Sequence, residues 1–159
     1  MKDRTDVAFG IGFIGLASMF GVLRFAIAPK IFAGMNNFLA EWAGFVGVPM
    51  IGFGFARMNG TFPDVLEFDP HFPYFLVILL FLLGNIIKDP TPICLISMGC
   101  LLHSEGGLSN LKACAAVALF LVSGLWYSSN KFGTYFGIRR VNIFHYCCGI
   151  SMVLFAYAL

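Results

Sequence analysis

The sequence has 159 residues, of which 59% are hydrophobic and 11% are charged, with a net charge of +2 and a mean hydropathy of +0.86. Soluble domains carry about 25% charged residues, because a folded surface must face water. The composition therefore excludes an ordinary soluble domain and predicts a single transmembrane domain over residues 1–159. No basic run is present, so the charge pattern gives no indication of nucleic-acid binding.

Apolar segments of membrane-spanning type follow one another along the whole chain. A helix needs about 20 residues to cross the hydrocarbon layer. The predicted spans are residues 7–28, 37–56, 73–87, 93–102, 111–128 and 138–159. The fourth segment is short, so it forms either a short crossing or a re-entrant half-helix. The predicted fold class is all-α, a polytopic transmembrane bundle of about six helices with segment four short or re-entrant. Six full crossings would place Lys2 and Leu159 on the same side.

The first two spans and their connection contain two charges that need an explanation. Residues 30–34 are predicted to connect two antiparallel helices, which would bring Arg24 and Glu41 to similar depths. A charge in hydrocarbon costs about 2.5–3.5 kcal/mol, and pairing reduces this cost. We therefore expect Arg24 and Glu41 to contact each other. The alternative is that Arg24 extends alone to the near interface.

Packing within these spans is predicted from small residues and from one proline. Pairs four residues apart allow helices to approach closely, and they occur at Ala8–Gly12, Ala17–Gly21, Ala40–Gly44 and Gly52–Ala56. Pro49 removes a backbone hydrogen bond in the middle of span two and is expected to kink it.

The longest connection, residues 57–72, contains the glycosylation pattern Asn59-Gly-Thr. Asn59 lies directly beside the end of a span, where a large modifying enzyme has poor access, so its modification stays open. The five cysteines all fall within spans, where thiols behave as small hydrophobic groups. No disulfide framework is predicted.

Further polar residues are predicted to gather at one membrane face. Span three ends with Asn85 and Asp89, and span six begins with Asn142 and His145. Together with Arg24 and Glu41 they form the expected buried polar cluster. Such groups inside a membrane indicate either a functional site or a polar seam that joins helices.

Aromatic residues near span ends are expected to act as interfacial anchors. These anchors are Trp42 in the second span, Trp126 with Tyr127 in the fifth, and Tyr135 with Phe136 before the sixth.

Two stretches, NNFLAEWAG (36–44) and FHYCCG (144–149), carry a partial resemblance to a known family. The second is similar to the aromatic-His-x-x-x-Gly pattern in the last helix of alkaline-ceramidase-type (CREST) membrane hydrolases. The resemblance implies a helical bundle that holds zinc through several His and an Asp to activate water. This chain departs from the pattern, because Val141 stands where the family has a second His.

A zinc centre can also be assessed from the residues alone. Catalytic zinc needs three protein ligands and one open position. In the six-span arrangement His71 and His103 lie on the face opposite His145. Asp89 alone could reach His145, and two ligands are not a catalytic set. We therefore predict no catalytic residue, metal or cofactor, and expect His145 to lie in the bundle interior near Glu41 or Asp89.

The predicted function is that of a small multi-pass integral membrane protein, and we expect it not to be an enzyme. It would act as an accessory or assembly subunit, with membrane lipids and other membrane subunits as partners. A small channel or transporter and a zinc-dependent hydrolase of lipid amides are the alternatives. The organelle and the orientation are left open by the sequence.

Overall fold

Helices make up almost all of the structure, as the composition predicts. The computed structural model describes residues 5–61, 71–87, 89–124 and 133–158, and these contain six continuous helices. The chain divides into two compact units, Met1–Glu105 and Gly106–Leu159, and the single transmembrane domain stays a prediction. Lys2, Leu159, Trp126 and Tyr127 lie outside the described residues, so their predicted placements are not tested.

The first unit begins with helix α1, Thr5–Val22, which continues into a π-helical turn over Leu23–Ile27. Ala28 then leaves helical geometry, with φ −143° and ψ 84°. Helix α2, Pro29–Trp42, starts at once, because proline is well suited to the first position of a helix. The predicted connection over residues 30–34 is therefore wrong, since those residues form the first turns of α2.

Helix α2 runs on through a π-helical turn, Ala43–Gly47, into helix α3, Val48–Met58. Together they form one helix of 30 residues, Pro29–Met58. Pro49 lies just after the π turn, in which the N–H of Val48 donates to the carbonyl of Ala43. The expected effect of Pro49 on this helix takes the form of an irregular turn, because proline cannot complete the regular hydrogen-bond ladder.

Two further helices complete the first unit. Helix α4 spans Phe72–Ile86. Helix α5, Thr91–Ser104, has 14 residues and is about 21 Å long, so the predicted segment four is a short helix. Its first turn is capped by the Asp89 carboxylate, which accepts a hydrogen bond from the Thr91 N–H at 2.9 Å.

Helix α3 lies at the centre of this unit, packed against α1 on one side and α5 on another. Glycines make both approaches possible. A Cβ atom on Gly52 would overlap the carbonyl group of Ser97 in α5, and one on Gly10 in α1 would lie 2.5 Å from the carbonyl oxygen of Gly47. Of the predicted small-residue pairs, Gly52–Ala56 is buried in this way, whereas Gly12 has no atom near its Cβ position.

An apolar core joins the middle of the long helix to α4 and α5. It consists of Trp42, Phe45, Val46, Met50, Leu76, Leu80 and Ile93. Trp42 stacks on Phe81 with ring centroids 4.4 Å apart and is only 9% exposed. Because α2 begins at Pro29, Trp42 falls near the middle of the 30-residue helix. Its predicted role as an interfacial anchor stays a prediction.

The second unit contains helix α6, Leu111–Val122, and helix α7, Arg140–Ala158, which pack against each other. A small hairpin precedes α7. Its strands β1, Thr134–Tyr135, and β2, Ile138–Arg139, pair antiparallel. Both turn residues have positive φ, 51° at Phe136 and 78° at Gly137, which is typical of a type I′ turn. Span six was predicted from residue 138, whereas α7 begins two residues later.

Two of the described helices, Thr5–Phe25 and Pro29–Met58, are long and apolar enough to cross a membrane. Tyr74–Ile86, Thr91–Ser104, Leu111–Val122 and Ile143–Tyr157 are apolar but shorter. The prediction of six helices is thus confirmed as a helix count, and their six crossings stay a prediction.

Candidate functional site

The most completely buried charges in the described residues belong to Asp6 and Arg57, which form an ion pair. The Arg57 Nη2 donates to Asp6 Oδ1 at 2.6 Å, and Nε donates to Oδ2 at 2.8 Å. Arg57 is 4% exposed and Asp6 is 1% exposed. Because both carboxylate oxygens accept from one planar guanidinium, the pair has the bidentate geometry of a strong charge-assisted contact.

Helix ends hold this ion pair in place. Asp6 lies in the first turn of α1, and Arg57 lies in the last turn of α3. An acid at a helix N-terminus and a base at a C-terminus each interact favourably with the helix dipole. Gly54 allows the close approach of α1 at Asp6, since a Cβ atom there would lie 2.9 Å from the Asp6 Cβ. The guanidinium carbon also lies 6.0 Å from the ring centre of Phe72.

A second contact joins the ends of α3 and α5. Asn59 Nδ2 donates to Glu105 Oε1 at 2.5 Å, at the surface of the unit. Asn59 is the residue of the predicted glycosylation pattern, and its amide nitrogen is the atom that a glycan would occupy. Glycosylation at this position would therefore compete with the contact to Glu105.

Arg24 forms a separate polar cluster with two asparagines of α2. Its Nη1 donates to the side-chain oxygens of Asn36, at 3.1 Å, and Asn37, at 2.5 Å. The predicted contact with Glu41 is wrong, since Glu41 is exposed and Arg24 bonds to the asparagines instead. The reason is the start of α2 at Pro29, which places Glu41 12 residues into the helix, or about 18 Å along its axis.

The other predicted cluster members in the first unit make local contacts. Asn85 donates to the carbonyl of Phe81 at 2.8 Å, and Asp89 caps α5. Both are exposed, as is Glu41. The structure therefore does not gather these side chains around Arg24. Hydrogen bonds from the side chain and backbone of Thr91 hold the pKa of Asp89 below its usual value of 3.8.

The remaining predicted members lie in the second unit. His145 is half-buried and contacts the Phe144 ring edge-on, with ring centres 5.1 Å apart. The side chain of Asn142 is outside the described part of the structure. The expected proximity of His145 to Glu41 or Asp89 stays a prediction. Elsewhere in this unit, Ser123 Oγ and Cys148 Sγ are 3.3 Å apart and join α6 to α7.

Polar contacts between residues distant in sequence join pairs of helices. They include Asp6–Arg57, Arg24 with Asn36 and Asn37, and Ser123–Cys148. Among the residues the structure describes, no group of three His, Cys, Asp or Glu side chains lies close enough to hold a metal ion. Sequence reasoning missed the Asp6–Arg57 pair because it placed both residues outside the spans, Asp6 before the first span and Arg57 in the connection after the second. The available signal was that both flank predicted spans on the same membrane face.

No protein-family model, curated protein or solved structure matches this chain.

Proposed function

We propose that the protein is a small multi-pass integral membrane protein that acts as a non-catalytic accessory or assembly subunit of a larger membrane complex. The observation that carries this proposal is an inverted distribution of polarity in the first unit. Asp6 and Arg57 are almost fully buried, whereas Ile31 is 77% exposed and Ile86 is 76% exposed. This distribution is the one expected of a membrane protein, in which ionisable side chains face the bundle interior and pair with one another.

Many large apolar side chains are exposed on the first unit, which suits a lipid environment. Exposed side chains along α1, α2 and α4 include Val22, Ile27, Ile31, Phe38, Phe75, Ile78, Leu82 and Ile86. Large exposed apolar patches indicate contact with a membrane or with another protein. The 30-residue helix Pro29–Met58, about 45 Å long, exceeds the roughly 30 Å hydrocarbon thickness.

Helix α4 supports the further step to an accessory role. Leu76 and Leu80 are buried in the core, and the exposed large apolar residues of this helix are Tyr74, Phe75, Ile78, Leu79, Phe81, Leu82 and Ile86. In a membrane, moving an apolar helix face from lipid to another helix brings no hydrophobic gain, because lipid tails are equally apolar. Helix association there depends on close packing. A helix with this exposed apolar face is well placed to pack against helices of another subunit.

Photo-crosslinking in native membranes tests this proposal. Benzoylphenylalanine replaces Leu82 on the outer face of α4, and the matched control replaces Val22 on α1, which is similarly exposed. We expect a crosslinked protein of one discrete mass from position 82 and lipid adducts from position 22. Lipid adducts alone at both positions would contradict the subunit role.

Two additional measurements test the membrane location and the non-catalytic role. Extraction of membranes with alkaline carbonate should leave the protein in the pellet, and its release would contradict membrane integration. Zinc analysis of the purified protein distinguishes the hydrolase alternative. Stoichiometric zinc that is lost in His145→Gln would overturn the non-catalytic role.

A further inference from the structure

Arg24 carries a positive charge that the described residues do not neutralise. Its two hydrogen-bond acceptors, Asn36 and Asn37, are neutral amides. Within the residues that the structure describes, no carboxylate forms a salt bridge with it, in contrast to Arg57, which is bound by Asp6. A half-buried guanidinium of this kind is expected to recruit an anion.

The guanidinium is held in a fixed orientation. Asn36 is buried, and its Nδ2 donates to the Ala17 carbonyl at 3.4 Å, which directs its side-chain oxygen towards Arg24. Both asparagines accept from the same nitrogen, Nη1. A guanidinium has five N–H donors, so the three on Nε and Nη2 have no hydrogen bond within the described part of the chain. These three define an edge suited to a second, bidentate acceptor.

The surroundings of this edge combine a helix end with apolar surface. Arg24 lies in the π turn Leu23–Ile27, about 6 Å along the axis from the break at Ala28. Phe25 lies beside the guanidinium, whose carbon is 5.1 Å from the ring centre, and Val22 and Met19, which are further from the helix end than Arg24, are exposed. In a membrane, a cation at this distance from a helix end lies near the headgroups, with apolar side chains at the level of the acyl chains.

We propose that Arg24, oriented by Asn36 and Asn37, binds the phosphate of an anionic phospholipid. The planar guanidinium matches phosphate oxygens in pairs, which a lysine cannot do. Neutral supporting acceptors leave the full positive charge for the ligand, and the adjacent apolar side chains contact the acyl chains. This proposal rests on the proposed membrane location of the protein.

Native mass spectrometry of protein purified in detergent tests this site, with phosphatidylglycerol and phosphatidylcholine as probes. We expect wild type to bind phosphatidylglycerol more tightly than Arg24→Gln by about tenfold or more, the size expected for a lost charge-assisted hydrogen bond. Lys112→Gln, which removes an exposed cation of the second unit, should retain wild-type binding. Equal binding by wild type and Arg24→Gln would overturn the proposal.

Further variants keep the result decisive. If Arg24→Gln does not fold, as judged by circular dichroism and gel filtration, Asn37→Ala removes an exposed supporting acceptor and should weaken lipid binding several-fold. Unchanged lipid binding in Asn37→Ala would then refute the proposal. Arg24→Lys keeps the charge but should bind more weakly than wild type, because it lacks the planar pair of donors.

Inorganic phosphate separates a lipid site from a general anion site. Displacement of phosphatidylglycerol by millimolar phosphate would show a site for free phosphate and would overturn the lipid assignment. Release of the protein by alkaline carbonate would refute the membrane location itself. A protein retained in the membrane that does not discriminate between the two lipids would refute only the Arg24 site.

Discussion

The ion pair of Asp6 and Arg57 allows a quantitative test of how the first unit is held together. The change Asp6→Asn keeps the shape of the side chain and one carbonyl acceptor but removes the negative charge. Arg57 is then left charged at a site where it is 4% exposed. Removing one partner of a buried ion pair costs about 3–5 kcal/mol. The substitution weakens both hydrogen bonds of the pair, at 2.6 and 2.8 Å. We therefore expect Asp6→Asn to lower the free energy of unfolding by about 3–5 kcal/mol.

The double variant Asp6→Leu with Arg57→Met should behave very differently. Apolar replacement of a whole buried pair is often neutral or stabilising. We therefore expect the double variant to be more stable than Asp6→Asn by roughly 3 kcal/mol or more. Adding the single variants Asp6→Leu and Arg57→Met completes a double-mutant cycle, which yields the coupling energy directly.

The free energy of unfolding can be measured by reversible SDS titration from detergent micelles, followed by circular dichroism. Asn59→Ala, at the exposed contact with Glu105, is the matched control and should cost about 1 kcal/mol or less. If Asp6→Asn costs no more than this control, or if the two single changes simply add in the double variant, the reasoning about the buried pair is refuted.

Three further expectations concern helix packing, the hairpin and one helix cap. Gly52→Leu should separate α3 from α5 and lower the free energy of unfolding by about 1–3 kcal/mol or more, measured by SDS titration. Gly99→Leu, at an open position of α5, should lower it far less. Phe136→Gly should raise stability by about 1 kcal/mol, because glycine removes the penalty of positive φ, and a loss would indicate that the ring is buried against a partner. Thr91→Val should raise the pKa of Asp89 towards 3.8 in an NMR titration. An unchanged pKa of Asp89 in this variant would contradict the role of Thr91. Since the pKa of Asp89 is lowered in the folded protein, its contribution to stability is present above pH 3.8 and is lost as the pH falls through the folded pKa.

Hydropathy located the helices of this chain well but not the beginning of the second one. The prediction took residues 30–34 as a connection because of Lys30 and Gly34, but Pro29 starts the helix. The helix thus begins at residue 29, eight residues before the predicted start at 37. As a result Glu41 lies far from Arg24, and Trp42 lies in the core. The error in the polar contacts follows from an error in one helix boundary.

The ion pair and the hairpin were missed for different physical reasons. Asp6 and Arg57 lie at predicted span ends, where hydropathy alone does not distinguish a charge facing water from one turned into the bundle. The hairpin depends on Phe136 at positive φ, although such turns favour Asn or Gly. The turn signal is therefore weak, and the apolar pattern merged the hairpin with the helix that follows it.

The π turn Ala43–Gly47 should allow the long helix to lose one residue without a change in which faces its two halves present. Its hydrogen bond spans five residues where an α-helix spans four, so the turn holds one residue more than regular geometry needs. Deleting Gly44 together with Pro49→Ala would therefore yield an uninterrupted α-helix whose two halves keep their faces. Deleting Ala40, outside the turn, would instead rotate the halves by about 100°. The π turn is thus the position where this helix can lose a residue while Asn36 and Arg57 continue to meet α1.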